Sequence, residues 1–578
     1  MGTMKKKTKK WAGVFSVLLS SSLVLSACGG QEDKASTEPA KQQDVKDLKI
    51  EKVAATDKSK NPEKAKQRKD TIILGISKPG GVFLPYFQEN GWDGNVTSVI
   101  FASLVSTDKQ GKPVPELAEK WDVSSDQLKY TFHLRKDLKF SDGSPLTADD
   151  VAFTLTLLHD KAYEGGTDIL QYAIKGGKDY KEGKATSIEG IKVVNPQTIE
   201  ITTEKVNSQA LVNLGGPVLS KAYYGKDYKQ NTSLNYLKDL YGKPMAAGPY
   251  KFEKYVPGQE VRFVANEHYY AGKPKVKNFI YKITTPDTNF QLFQTGETDY
   301  DGFAANNDNI EQLKSLGFAN FNIETVSSYS FVYFNNKKPY LKDKKVRQAL
   351  IYGLDRKKYV DTYFQGNASV ANIPISPTSW AYDDKGINQY EYNVEKAKKL
   401  LDEAGWKVGS DGIREKDGQK LKLSYYAASG RKQEEVFIPI AKENYKALGV
   451  EFNPEIMDFN TLVSKVGKFD YDLAAVATSI ISDPSEPVGE FESTHPDNSA
   501  SYSNPKVDEL IKKGIETVDI EKRKPIYKEL YKELSDDPPV ILLNYRKSIS
   551  AHNARVKGIN PEKYDSISSN LPVLSIEQ

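Results

Sequence analysis

The sequence predicts a mixed α/β protein with two or more lobes. Its 578 residues exceed what one hydrophobic core usually organises. Short runs of strand-like alternation interleave with amphipathic helical runs, and no internal repeat orders them. Hydrophobic residues make up 38% and aromatics 11%, with 34 Tyr against 5 Trp and 4 Met, so a large core is available whose aromatic surface stays partly wet.

The first element is a leader, residues 1–27. Lys5, Lys6, Lys7, Lys9 and Lys10 precede an apolar run from Trp11 to Leu25. This run is short of the roughly 20 residues of a spanning helix and has the order of a signal peptide. No later run is apolar enough to span a bilayer. The formal charge of +4 falls to −1 without those five lysines, which leaves no basic field for nucleic acid. Leu25, Ser26, Ala27 and Cys28 resemble the lipobox of bacterial lipoproteins, whose cysteine sulfur becomes a thioether to diacylglycerol and, after cleavage, the first residue. The resemblance implies membrane attachment through lipid on Cys28. Cys28 is the only cysteine, so an intramolecular disulfide is impossible. Residues 29–69 hold no aromatic side chain and many charges. With Cys28 they are expected to form a flexible tether, about 40 residues with a reach of roughly 35 Å.

Ordered structure is expected from Asp70–Ser77, a β-rich run ended by "KPGG". In "LKYTFHLRKDLKF" Tyr130, Phe132 and Leu134 alternate onto one strand face, and "SDGSP" then turns the chain. Thr147, with Asp150 three residues on, opens a helix over "LTADDVAFTLTLL". "DKKVRQALIYGLDRKKYVDTYF" reads as two helices broken near Gly353–Asp355. "NVEKAKKLLDEAGW" has Asn393 as N-cap, an apolar face of Ala397, Leu400, Leu401 and Ala404, and Gly405 as terminator. The C-terminal "EKRKPIYKELYKELSDDPPVILLNYR" reads as a helix leading through Pro538 and Pro539 into a buried strand.

Local chemistry motifs are few. His133, His159, His268, His495 and His552 stand singly, without the spacing of a zinc pair. Gly176–Ala185 lacks the glycine and hydroxyl positions of a phosphate loop, and Glu297–Asn309 lacks the Gly and Glu of a calcium loop. No Gly-x-Ser-x-Gly elbow is present. The reading is therefore no catalytic residue, no metal site and no cofactor.

The block Pro115–Leu155, "PELAEKWDVSSDQLKYTFHLRKDLKFSDGSPLTADDVAFTL", is the most distinctive. It is followed in order by "AAGPYKF" (246–252), "ANEHYYAGKPKVKNF" (265–279), "KPYLKDKKVRQALIYGLDR" (338–356), "NVEKAKKLLDEAGW" (393–406) and "SYSNPKVDELI" (501–511). Together they resemble the oligopeptide, dipeptide and nickel class (family 5) of extracellular solute-binding proteins, the lipid-anchored receptors of bacterial ABC importers. The resemblance covers nearly the whole chain after the tether.

What it implies is a two-lobed periplasmic-binding-protein-like fold (class II, cluster C) with an extra subdomain inserted in the first lobe. The expected boundaries are 70–101, 198–334 and 541–578 for lobe I, 102–197 for the insertion and 335–540 for lobe II. The implied function is a monomeric receptor that binds extracellular oligopeptides by closing its lobes and delivers them to membrane permease subunits. A non-peptide ligand (metal chelate, haem, sugar or amino acid) on the same fold is the second reading, and a surface hydrolase the third. By resemblance the first-lobe ligand strand falls on Glu89, Asn90, Gly91 and Trp92. The second-lobe segment runs from Tyr471 to Pro487, with Val476, Ala477, Thr478 and Ser479 as contacts and Phe459 as a pocket aromatic. Where the family has Gly-Trp and then an Asp for the peptide amine, this chain has Ala477 and Thr478, and the acid position falls on Ile480 or Ile481. Either Asp483 shifts inward to hold the amine, or no carboxylate there does. This departure favours long peptides, or an unusual ligand, over dipeptides.

Overall fold

The computed structural model describes residues 48–88, 90–108, 111–477, 483–561 and 567–577. The expected leader and Cys28 lie outside them, as do Glu89, Thr478 and Ser479. A 13-stranded sheet organises the described residues, and its main path crosses from one half of the molecule to the other. The far half holds Glu451–Met457, Lys422–Ala428, Leu473–Ala477 and Ser330–Phe334, side by side in that order. The long strand Val540–Asn553 comes next, followed in the near half by Tyr300–Ala304, Thr71–Ile76, Asn278–Ile283, Glu260–Ala265 and Tyr250–Val256.

Two connections join the halves, and their strand pairing shows where each crosses. Val540, Ile541, Leu542 and Asn544 pair with Tyr333, Val332, Phe331 and Ser330, whereas Lys547–Asn553 of the same strand pair with Thr325–Ala319. Ser548–His552 also pair with Ala304–Tyr300. The second connection is Val326–Tyr329, between the strands Ala319–Thr325 and Ser330–Phe334. Pairing therefore changes sides near 326–329 and 545–546. The boundaries expected from sequence, at 334 and 541, put each change several residues away, because a strand shared by two sheets has no break in its own pattern.

The cores follow this division. Ile72, Leu74 and Ile76 belong to a near-half cluster with Phe132, Phe153 and Phe279, and a second near-half cluster surrounds Phe293, Phe303 and Ile549. Val332, Leu350, Leu401, Tyr425 and Ile541 form one far-half cluster, and Tyr329, Phe331, Tyr527 and Tyr531 belong to another. Each large aliphatic side chain buried this way contributes about 1.5–3 kcal/mol.

The expected elements form where local chemistry asks for them. The helix Ala148–Leu158 starts on a capping box of Thr147 and Asp150. Asn393 caps Val394–Glu403 by accepting from the Lys396 N–H at 2.9 Å, and Gly405 follows at φ +88°, a conformation glycine adopts at least cost. Lys344–Tyr352 and Arg356–Phe364 are the two helices broken at Gly353–Asp355, and Ile520–Asp536 leads into Val540–Asn553. A separate four-stranded sheet holds Ala118–Val123, Lys129–Leu134, Thr198–Thr202 and Ile191–Asn195, mostly within the range where an insertion was expected. Thr198–Thr202 pairs within it, so the small sheet reaches beyond the expected limit at 197.

The tether reading is corrected over nearly its second half. Glu51–Val53 pairs antiparallel with Ile323–Phe321, Glu63–Gln67 is helical, and Ala65 is fully buried. The Thr56 and Asp57 N–H groups both donate to the Gly317 carbonyl. Composition gives no sign of this order, because the partner is the open edge of a strand some 270 residues away.

Candidate functional site

A cleft of about 610 Å³ opens where the two connections cross. Tyr300, Trp92, Glu324 and Ser548 line it from the near half, Trp380 from the far half, and Val326, Ser327 and Arg546 from the connections themselves. The strand alternation sets this lining: Arg546, Ser548 and Ser550 are two residues apart and share one face. Trp92 is held at a helix start, where the Asn90 side chain accepts from the N–H groups of Trp92 and Asp93 at 3.0 Å. It remains 46% exposed toward the cleft. Burial pushes the Tyr300 phenol up to about 12, so it stays a neutral donor and acceptor.

Electrostatically, the cleft's distinctive group is Arg546. Burial lowers its pKa below the usual guanidinium value, and no carboxylate forms an ion pair with it among the described residues. The charged neighbour acting on it is another cation, Arg431, which is itself paired with Glu434 at 3.2 Å. Two further cavities adjoin. One of about 760 Å³ shares Pro286 with the cleft, and one of about 1050 Å³, toward the insertion, shares Thr107 and Asp108. In the latter, burial pushes the Glu116 carboxyl up to about 7.

The halves touch across the cleft. Lys432 pairs with Asp287 at 2.7 Å, the Asn307 N–H donates to Gln365 Oε1 at 3.1 Å, and the Ser208 N–H donates to the Ile515 carbonyl at 2.8 Å.

Of the residues expected to bind, Trp92 lines the cleft. Asn90 and Gly91 do not form a strand: Asn90 is the N-cap of the helix Gly91–Ile100 and Gly91 its first residue. The Asn-Gly-Trp-Asp order explains this, since Asn is among the best N-caps and Asp93 suits a first turn. Phe459 opens the helix Phe459–Gly467, is 60% exposed and lies outside the lining of these cavities. Val476 and Ala477 end the strand Leu473–Ala477, opposite Phe331 and Ser330. Asp483 is buried against Arg523, which donates to its two oxygens at 2.8 and 2.7 Å. It also accepts from Ser485 N–H and Oγ at 2.9 and 2.7 Å. Its acceptor capacity is consumed inside the far half. Arg546, Trp380 and Glu324 were missed. The available sign was a pair of cations, Arg546 and Lys547, interrupting an otherwise buried strand.

Comparison with known proteins matches residues 112–541 to the model of bacterial extracellular solute-binding proteins, family 5 Middle. The chain belongs to this family. It is 28% identical over 574 residues to the oligopeptide-binding protein AppA of Bacillus subtilis, covering 97% of both chains. The structure of that protein with a nonapeptide superposes with a TM-score of 0.76 at 24% identity, covering 88% of this chain and 99% of the other. NikZ of Campylobacter jejuni, solved with Ni(L-His), gives 0.74 at 27% identity, with 88% and 100% covered. Lactococcal OppA with an endogenous peptide, in the closed conformation, gives 0.78 at 22%, with 88% and 100% covered. The mixed α/β architecture described above is thus the two-lobed fold of these binding proteins, with the near half as lobe I and the far half as lobe II.

Proposed function

We propose that this chain is the lipid-anchored receptor of an ABC importer, capturing extracellular oligopeptides between its lobes and handing them to a membrane permease. The observation that carries the reading is the cleft of about 610 Å³ walled by both lobes and by the two crossing connections. A ligand there touches both lobes at once, so its contacts stabilise the closed arrangement over the open one. An extended peptide suits such a site, since main-chain hydrogen bonds supply affinity while wet pockets accept varied side chains. The adjoining cavities lengthen the trough beyond what a dipeptide needs. With Asp483 committed to Arg523, the amine-holding acid implied for the shortest peptides has no counterpart at that position. The task is binding, without a chemical step. Attachment is through Cys28, ahead of a charged segment.

Native mass spectrometry of protein purified from cells, with gentle release and sequencing of the occupant, tests this. Mixed peptides of several lengths are expected. The likeness to NikZ supports a second reading, a metal chelate, and recovery of one defined non-peptide species would establish it instead. The mass of the native N-terminus tests the lipid: an unmodified Cys28 ends the anchoring claim and leaves the cleft untouched.

A further inference from the structure

We infer that Arg546 receives a carboxylate of the bound ligand and gives the cleft its polarity. A half-buried guanidinium with no ion pair is an expensive feature, because burial removes water from the charge and nothing replaces it. Among the described residues Arg546 is such a group: its electrostatic neighbours are Tyr359, Tyr363 and the cation Arg431. Glu324, the acid lining the same cleft, stands opposite Ser548 in the ladder and forms no ion pair with it. Other buried cations in lobe II are differently placed, since Arg347 is paired with Asp537 and Arg523 with Asp483. Leaving one cation bare where the lobes meet reserves it for an anion that arrives with the ligand.

The surroundings specify which anion. Ser548 and Ser550 follow Arg546 along the same strand face and add hydroxyl donors beside a planar fork of N–H groups, a set that matches a carboxylate. Arg546 is also where the long strand changes lobes: its backbone pairs with Ala368, its carbonyl accepts from the Val326 N–H, and Lys547 already pairs with Thr325 of lobe I. A carboxylate held there engages the connection itself. This rests on the peptide reading, under which the carboxylate is either the peptide C-terminus or an acidic side chain.

Isothermal titration with one nonapeptide of uncharged side chains, as free acid, as C-terminal amide, and as amide carrying one Glu, separates the sources. The folded protein is expected to bind the free acid roughly 10- to 100-fold more tightly than the amide. Arg546→Gln abolishes that difference and Arg546→Lys retains part of it, with thermal melting checking that both variants fold. If the Glu-bearing amide regains the affinity while the free acid does not, an acidic side chain is the source. Equal acid-to-amide ratios in the native protein and Arg546→Gln overturn the inference, as does the lack of any preference in the native protein. If no form binds, the peptide reading fails and Arg546 is judged separately by phenylglyoxal labelling. Small molecules released from the native protein should protect it, and should cease to do so after methyl esterification; protection that survives esterification, or no protection, overturns it.

Discussion

Arg356 and Arg546 are both desolvated arginines, and they are treated in opposite ways. Arg356, in lobe II, donates from Nη1 to the carbonyls of Ala371 and Leu542 at 2.8 and 2.7 Å. From Nη2 it donates to Asn372 Oδ1 and to the carbonyls of Gln389 and Tyr390 at 3.2, 2.9 and 3.2 Å. Burial still lowers it to about 10, but its charge is spread over five acceptors that bind a long loop to the strand. Arg546, a few residues along that same strand, has none of this. The contrast separates a cation that builds the lobe from one kept for use, and it shows that burial alone does not reveal which is which. What decides is whether the acceptors are already present.

The same substitution at the two positions should therefore act in opposite directions. Arg356→Met removes five hydrogen bonds and leaves their acceptors buried, and is expected to cost on the order of 4 kcal/mol in urea unfolding. A cost under about 1 kcal/mol would show that the loop finds other donors and that the contrast with Arg546 is illusory.

Lobe I holds an acid of the Arg546 kind. Asp301 is 4% exposed, accepts from the Gly302 N–H at 2.9 Å, and leaves its second oxygen without a hydrogen bond. It lies where a Cβ at Gly75 would stand, 1.9 Å from that oxygen, which is why position 75 has no side chain. Burial pushes its carboxyl up to about 7. Because this lies above the unfolded value, the folded chain binds the proton more tightly. The stabilisation is complete below about pH 4 and is lost as pH rises through about 7. Asp301→Asn should thus be more stable than the native chain by about 4 kcal/mol at pH 8, a gap that closes below pH 4. Stability curves that stay parallel across this range would mean that Asp301 ionises freely and is satisfied after all.

Arg546→Met completes the pair. Removing a bare cation in favour of an apolar side chain of similar length should raise the stability of ligand-free protein by about 1 kcal/mol, while binding of free-acid peptide falls. A loss of stability comparable to that of Arg356→Met would place Arg546 among the structural cations.

Much of this architecture was legible in the chain. The Thr147–Asp150 box, the Asn393 cap and the Tyr130–Phe132–Leu134 alternation are local patterns, and each formed as read. What escaped was decided by distant partners. Asp483 looked free for a ligand because its guanidinium, Arg523, lies 40 residues on. Residues 51–53 looked like tether because Phe321–Ile323 supplies their pairing. Asn90–Trp92 was read as a strand and is a helix start, because N-cap chemistry fixed its conformation, and of the three only Trp92 lines the cleft. Arg546 was hardest to see, because its importance lies in what is missing around it.

The rim of the cleft supplies the smallest and most condition-dependent effect. Lys432 of lobe II and Asp287 of lobe I meet at 2.7 Å with most of both side chains in solvent, and this contact raises the Lys432 pKa above its ordinary value. Unlike the charge on Arg546, these two cancel before any ligand arrives. An exposed pair of this kind is worth little, and salt screens it over about 10 Å at 0.1 M. It can exist only when the lobes are together, so whatever it contributes favours closure and slows ligand escape. Lys432→Ala should weaken peptide binding about twofold in low salt, chiefly through faster dissociation, and the deficit should vanish near 0.5 M salt. Removing Asp287 as well should add nothing further, since one partner already breaks the pair. A deficit that persists unchanged at high salt would assign the contact to packing.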